Sequence, residues 1–432
     1  MGGGPVPSRT LRWTVLVLLP VVVLALAALV ASTLRAYAPP LPPDQIRLSL
    51  RGDPHTTMAV VWHAATAAPG TVKVRGDAGM QTFPGRRTDG TPTGSGIWRQ
   101  ADLTGLRPGS TYRYVVTSGD AESGEFEFRT KPLGVHPVRF DVFGDQGDCT
   151  HFAPACRVMD GIAADRPNFV LGAGDLTYAN DNGPEAADLW ANDVMRRYGT
   201  WAPLMPTLGN HEYLEGDSID NYKGRFALPD QGGTSAPDSA RGDYYSFDYG
   251  PVHVVALPER YVDMKANSDF RRWLEDDLRT ACANPAIQWR IAFNHRPFYS
   301  TGRRHGPDQT YQKWVAPILE QYHVDLVFSG HEHVYERSLP MNGGTPVTRR
   351  ANKWRQGAGT AYVVTGGGGA PSYNDFGPAA AWDAVRETGH HHVRVDIDVD
   401  GTLRLTAISD DDGQRPIDEV IIERTGRTAD CR

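Results

Sequence analysis

From Ile46 to Phe128 the chain alternates apolar and polar positions in short runs. Ile46, Leu48 and Leu50 mark one such run and Met58, Val60 and Trp62 a second; Val72 with Val74, Tyr112 with Tyr114 and Val116, and Phe126 with Phe128 continue the series. A period of two places alternate side chains on one face of a strand, and Gly and Pro turns separate the runs, so this stretch predicts a small β-sandwich. The rhythm changes at Thr130-Lys131-Pro132, after which strands alternate with helices. Val138–Phe143, Asn168–Gly172, Gln288–Phe293 and Val324–Ser329 read as strands. Helices are expected over Ala155–Ala164, Pro184–Arg197, Phe270–Ala281 and Thr310–Gln321; in the third, Phe270, Trp273, Leu274 and Leu278 share one helical face. Val395–Leu405 reads as a hairpin turning at Asp400-Gly401. The expectation is an all-β domain over 44–131 followed by an α/β layered domain over 132–432, a β-sandwich flanked by helices whose loops gather at one edge.

The first 43 residues fit neither pattern. Thr14 to Leu34 carries no charge and is mostly Val, Leu and Ala, with Arg9 and Arg12 before it, and Pro39-Pro40-Leu41-Pro42-Pro43 follows as a stiff spacer. The run is long enough to cross a bilayer, and its length together with Pro39 favours an uncleaved anchor over a signal peptide cut at Ala36-Tyr37-Ala38 or Ala25-Leu26-Ala27. Under either reading the bulk of the chain is exported, membrane-anchored or secreted, with a cytoplasmic stub in the anchored form. Four cysteines without C-x-x-C spacing suit that compartment; Cys149 and Cys156 are close enough to pair locally, which would leave Cys282 with Cys431. Hydrophobic residues at 40% and charged residues at 22% are ordinary for a globular protein, and a net charge of −7 offers no surface for nucleic acid.

The chemistry concentrates in five short clusters, each near the end of a β-like run: Gly144-Asp145-Gln146-Gly147, Gly174-Asp175-Leu176-Thr177-Tyr178, Gly209-Asn210-His211-Glu212, Asn294-His295 and Gly330-His331-Glu332-His333. One such cluster is more often a turn or a helix cap than a ligand. Five in order can offer two Asp, a Tyr, an Asn and three His as ligands, enough to hold two metal ions side by side, and two adjacent metals suit phosphoester hydrolysis because they bind both attacking and leaving oxygens. Gly366–Gly369 is no phosphate-binding loop, because no Lys-Ser/Thr follows; it is either a close approach to the metal site or a plain turn. His390, His391 and His392 look like a metal-binding tract but are expected to open a strand with alternate rings in solvent. Arg51-Gly52-Asp53 and Arg241-Gly242-Asp243 raise a distant alternative, a non-catalytic adhesion protein.

The five clusters in this order resemble the calcineurin-like metallophosphoesterases, and Tyr178 narrows the resemblance to the purple acid phosphatases. The β domain ahead of the α/β domain is similar to the plant-type, two-domain form, and Leu103–Tyr114 resembles the late strands of a fibronectin type III-like module. The resemblance implies that Asp175 bridges two metals, that Asp145, Tyr178 and His333 complete a site for Fe(III), and that Asn210, His295 and His331 complete one for Zn, Fe(II) or Mn. It implies an acid phosphatase acting on small phosphate esters by attack of metal-activated hydroxide, with a phosphodiesterase or nucleotide-cleaving enzyme as the alternative. His211 then binds a phosphate oxygen or protonates the leaving group, Glu212 orients it, and His305 binds substrate. Arg303 and Arg304 are expected to be solvated loop residues, with contact to a second phosphate as the alternative.

Overall fold

The computed structural model describes residues 1–3, 41–88, 96–229 and 242–425. The apolar run 14–34, Arg241 and Cys431 lie outside the described residues. Among the described residues, no helix is long and apolar enough to cross a membrane.

The alternating runs form strands β1 (Asp44–Ser49), β2 (Met58–Ala64), β3 (Gly70–Gly76), β4 (Gly79–Pro84), β5 (Arg86–Arg87), β6 (Ile97–Leu103), β7 (Thr111–Ser118), β8 (Ala121–Glu122) and β9 (Phe126–Arg129). They make one sheet in the order β1-β2-β6-β5 and another in the order β4-β3-β7-β8, with β9 also on β7. Ile46, Leu48, Trp62, Val72, Val74, Tyr114 and Val116 fill the space between the sheets, where the Trp62 indole N–H donates to Ser118 Oγ at 3.2 Å. β1 departs from a one-faced strand. Its polar positions Gln45 and Arg47 are also buried, because the helix Glu185–Val194 and Arg225 cover that face. Gln45 Nε2 donates to Asp188 Oδ1 at 3.0 Å, and Arg47 donates to the Arg225 carbonyl at 2.6 Å.

The α/β region continues with β10 (Val138–Phe143), β11 (Phe169–Ala173), β12 (Leu204–Thr207), β13 (Tyr245–Tyr249), β14 (Val252–Ala256), β15 (Trp289–Phe293), β16 (Leu326–Ser329), β17 (Tyr335–Ser338), β18 (Met341–Asn342), β19 (Thr345–Pro346), β20 (Lys353–Arg355), β21 (Ala361–Thr365), β22 (Asp383–Glu387), β23 (His391–Ile397), β24 (Leu403–Ser409) and β25 (Arg415–Glu423). Two layered sheets result, β12-β11-β10-β23-β24-β25-β20 and β13-β14-β15-β16-β21-β17-β22. β10, β11 and β12 run parallel in the first, as do β14, β15, β16 and β21 in the second. Their strands are buried on both faces, which is why they read as continuous apolar runs. The amphipathic helix Asp269–Ala283 lays Phe270, Trp273, Leu274 and Leu278 on the outer face of the second sheet. At the carboxyl ends the two sheets meet: the Gly144 N–H, just past β10, donates to the Thr365 carbonyl at the end of β21 at 2.9 Å.

Three expectations change. The helix over Thr310–Gln321 is broken at Val315 into Gln309–Trp314 and Ala316–Gln321, because Pro317 has no N–H to continue the ladder. The helix from Glu185 ends at Val194 and runs on as a π turn over Met195–Gly199. His391 and His392 do not face solvent; both are buried, because β23 lies inside its sheet between β10 and β24. The His391 ring packs against Tyr335, and His392 hydrogen-bonds Asp410 and Asp165 at 2.8 and 3.1 Å. The local cysteine pair is present, Cys149 with Cys156, and Cys282 is also disulfide-bonded.

Candidate metal centre

Sharp turns carry the candidate ligands away from the strand ends. Asp145, Asp175, Tyr178 and His331 hold φ of 60°, 49°, 52° and 70°, in the left-handed region that costs a non-glycine residue about 1 kcal/mol or more. Buried Glu212 ties two clusters together: it accepts hydrogen bonds from the Asp175, Leu176 and Gly209 amides at 3.0, 2.8 and 2.7 Å. Asp175 Oδ1 accepts from the His211 amide at 2.8 Å, and Asp145 Oδ2 from the His331 amide at 2.8 Å. Glycine is required where backbones touch. A Cβ on Gly209 would lie 2.2 Å from Asp175 Oδ1, and one on Gly366 would lie 2.2 Å from the Glu332 carbonyl and 2.8 Å from Asp145 Oδ2. The glycine run 366–369 is thus a close approach.

These turns bring the seven candidate ligands into two adjoining groups. Tyr178 Oη lies 3.4 Å from Asp145 Oδ1 and 3.2 Å from His333 Nε2, which is itself 3.3 Å from Asp145 Oδ1. In the other group, His295 Nε2 lies 3.1 Å from each of Asp175 Oδ2, Asn210 Oδ1 and His331 Nδ1. The remaining ring nitrogens are committed elsewhere. His295 Nδ1 donates to the Ala173 carbonyl at 2.9 Å and His333 Nδ1 to the Pro371 carbonyl at 2.8 Å, so each directs Nε2 at the cluster. The Arg296 guanidinium, paired with Glu259, lies 2.8 Å from His331 Nε2, and His331 Nδ1 faces inward.

The charge balance suits cations. His295 Nε2 faces acceptor oxygens of Asp175 and Asn210, so something positive belongs between them. Burial alone would lower the His295 imidazole, but the carboxylates of Asp175 and Asp145 push it up to about 10. Burial would raise Asp175, and His295 with His211 instead hold it down at about 2. Burial, reinforced by Asp145 and Asp175, pushes the Tyr178 phenol well above its ordinary range. Ionising that phenol requires a strong positive charge beside it, which a trivalent ion would provide. The donors fit metal ions: a phenol and carboxylates on one side, neutral amide and imidazole donors on the other, and atoms of Asp175, His295 and His331 all within 4.8 Å of one another.

A cavity of about 470 Å³ opens over both groups and is also lined by His211, His305, Arg304 and Tyr373. His211 is oriented differently from the expectation. Glu212 is spent on backbone amides, and the His211 Nδ1 instead meets Asn180 Oδ1 at 2.7 Å and Asp181 Oδ2 at 3.4 Å. His305 stacks on His331 with centroids 3.9 Å apart, and burial lowers its imidazole to about 4. Asp148 caps the turn at Thr150 and His151. The Arg51-Gly52-Asp53 tripeptide is engaged internally, Asp53 with the His55 amide and Thr56, Arg51 with Asp102. Sequence reasoning missed Asn180 and Asp181, although they follow Tyr178 by two and three residues, and missed Tyr373, whose ring stacks on His333 at 4.1 Å and which no local motif marks.

Residues 43–130 match the model of the purple acid phosphatase N-terminal domain, and residues 138–335 that of the calcineurin-like phosphoesterases. The uncharacterized protein Rv2577 of Mycobacterium tuberculosis is 32% identical, covering 69% of this chain and 69% of its own length. Purple acid phosphatase 23 of Arabidopsis thaliana is 30% identical over 73% of this chain and 72% of its own. The structure of purple acid phosphatase PPD1 from yellow lupin seeds shares the fold with a TM-score of 0.75 at 22% identity, covering 89% of this chain and 74% of that one. Fold, family match and donor chemistry define a metal-dependent phosphoesterase. The chain belongs to the purple acid phosphatases, a family of dinuclear, metal-dependent hydrolases.

Proposed function

We propose that this chain is an acid phosphatase that hydrolyses small phosphomonoesters outside the cytoplasm. The observation that carries the reading is the meeting of two chemically different donor groups, Asp145–Tyr178–His333 and Asp175–Asn210–His295–His331, joined by the hydrogen bond from the His331 amide to Asp145 Oδ2. The first group with Asp175 would hold Fe(III); the second with Asp175 would hold Zn, Fe(II) or Mn. Such a pair would supply Lewis acidity toward phosphoryl oxygens and toward water.

The chain's own residues do the rest. Asn180 fixes His211 Nδ1 and leaves Nε2 to donate a proton to the leaving oxygen or to hold a phosphate oxygen. His305, fixed against His331, offers a second imidazole to the same phosphate. The Ala173 and Pro371 carbonyls hold the His295 and His333 imidazoles in one orientation. An exported location is supported by the apolar run 14–34 and by the Cys149–Cys156 disulfide. Protease added to intact expressing cells should destroy the activity, and protection until lysis would contradict that location.

The test of the reaction is rates on 4-nitrophenyl phosphate and bis(4-nitrophenyl) phosphate between pH 4 and 8. The monoester should be favoured at least about tenfold in kcat/KM. A preference for the diester would replace this reading with a phosphodiesterase.

A further inference from the structure

We propose that Asp141, Asp165 and His392 form a further metal site, apart from the two donor groups of the candidate metal centre, that takes an exchangeable divalent cation of the zinc class and pins the helix Ala153–Asp165 to the first seven-stranded sheet.

The three donors come from three elements. Asp141 lies on β10, His392 on β23, and Asp165 ends the helix Ala153–Asp165. β10 and β23 are paired with Asp141 opposite Arg394, so Asp141, His392 and Arg394 share one face of the sheet, and His391 points the other way onto Tyr335. The helix covers the first of these faces closely. A Cβ on Gly161 would lie 2.4 Å from Asp410 Oδ1 and 2.8 Å from His392 Cε1, so a glycine admits the approach. One ligand atom from each of Asp141, Asp165 and His392 lies within 4.8 Å of the other two. His392 Nε2 is 3.1 Å from Asp165 Oδ2, near the ~3.3 Å that separates ligands around a tetrahedral zinc ion.

Asp141 is the observation that calls for a ligand. Its side chain is fully buried, and neither of its oxygens has a hydrogen-bond partner among the described residues. Buried carboxylates are otherwise paired or hydrogen-bonded. A proton on His392 would satisfy Asp165 and Asp410 and still leave Asp141 with nothing, whereas a cation between the three donors satisfies them all. His392 is prepared for that role. Its Nδ1 lies 2.8 Å from Asp410 Oδ2, which fixes the ring and directs Nε2 at Asp165, the carboxylate–histidine arrangement that orients metal ligands. Charge points the same way. Arg394 is shared between Asp165 and Asp396, Arg139 pairs with Asp396, and Arg157 with Asp411. Mixed carboxylate and imidazole donors suit Zn²⁺. Three protein ligands, with the Asp165 side chain 12% exposed, leave a coordination position and a way in from solvent, so the ion would exchange and be lost on purification.

The full chain, purified with the metals of its catalytic centre, is titrated with Zn²⁺ alone. Bound zinc and the thermal midpoint are measured for the wild type, Asp141→Asn and Asp165→Asn. The wild type should take up one more equivalent than either variant, and saturating Zn²⁺ should raise its midpoint by about 2–5 °C while leaving theirs unchanged. Asp141→Asn keeps the volume, removes a buried charge and should hydrolyse 4-nitrophenyl phosphate at the wild-type rate. Asp165→Asn, at the solvent edge, decides the question should Asp141→Asn not fold. Equal zinc uptake by the wild type and a folded variant would overturn the site; Asp141 would then be held as a neutral acid, the form its burial favours.

Discussion

Asp145, Asp175, Tyr178 and His331 adopt backbone conformations that non-glycine residues avoid, and they account for four of the nine non-glycine residues with positive φ among the described residues. Such strain persists only where the surroundings over-determine it. Glu212 does much of that here, because one buried carboxylate satisfies the amides of Asp175, Leu176 and Gly209. Glu212→Gln keeps the volume but turns an NH₂ toward an N–H. It is therefore expected to lower metal content and activity at least about tenfold, nearly as much as Glu212→Ala. Metal analysis of the purified variants checks this, and a fully loaded Glu212→Gln protein would contradict it. Asn180 acts on His211 through orientation. Asn180→Ala should lower kcat about tenfold with KM little changed, against about 10²–10⁴-fold for His211→Ala. Steady-state kinetics separate these outcomes; equal losses in the two variants would mean that Asn180 does more than orient the ring. The ligand types were legible in the sequence because each follows an apolar run. Their partners were not: Glu212, Asn180 and Tyr373 matter through contacts that exist only once the turns have formed.

At the scale of elements, two polar pins hold the layers in place. Arg337 on β17 and Asp418 on β25 bind the two seven-stranded sheets to each other. Both side chains are buried, Arg337 Nη2 donates to Asp418 Oδ1 at 3.1 Å, and the Tyr335 hydroxyl donates to Asp418 at 2.6 Å. Asp418→Ala would strand a buried guanidinium and should cost about 3–5 kcal/mol in urea denaturation; a loss below about 1 kcal/mol would contradict the pin. His253 on β14 joins Asp248 on β13 to Asp277 on the helix Asp269–Ala283, at 2.7 and 2.9 Å. Burial alone would lower this imidazole, but the hydrogen bonds to Asp248 and Asp277 push it from 6.5 to about 9. The folded state therefore holds the proton more tightly than the unfolded chain. The stabilisation is complete below about pH 6.5 and is lost as pH rises through about 9. His253→Gln should destabilise by about 2 kcal/mol at pH 6, after allowance for the exposure of Asp248, and by much less at pH 9.5. Denaturation midpoints at the two pH values measure this, and a difference independent of pH would contradict it. Element types were legible from period and apolar content. What escaped was set by neighbours distant in sequence, such as the two-sided burial of β1 and the enclosure of His391 and His392 between β10 and β24.

At the scale of the whole molecule, a β-sandwich and a two-sheet α/β layer share the contact through Gln45, Arg47, Asp188 and Arg225, and the donor cluster lies where the two catalytic sheets meet. That convergence is what turns five sequence clusters into one site. On the proposed reading the site would hold two unlike ions, one of them against the Tyr178 phenolate. Metal content and the visible spectrum of the purified full chain, compared with those of Tyr178→Phe, test it most directly. Two metal equivalents per chain, at least one of them iron, are expected, with a visible phenolate-to-iron band that disappears in Tyr178→Phe. A single equivalent, or a coloured wild type whose spectrum is unchanged in Tyr178→Phe, would contradict the claim.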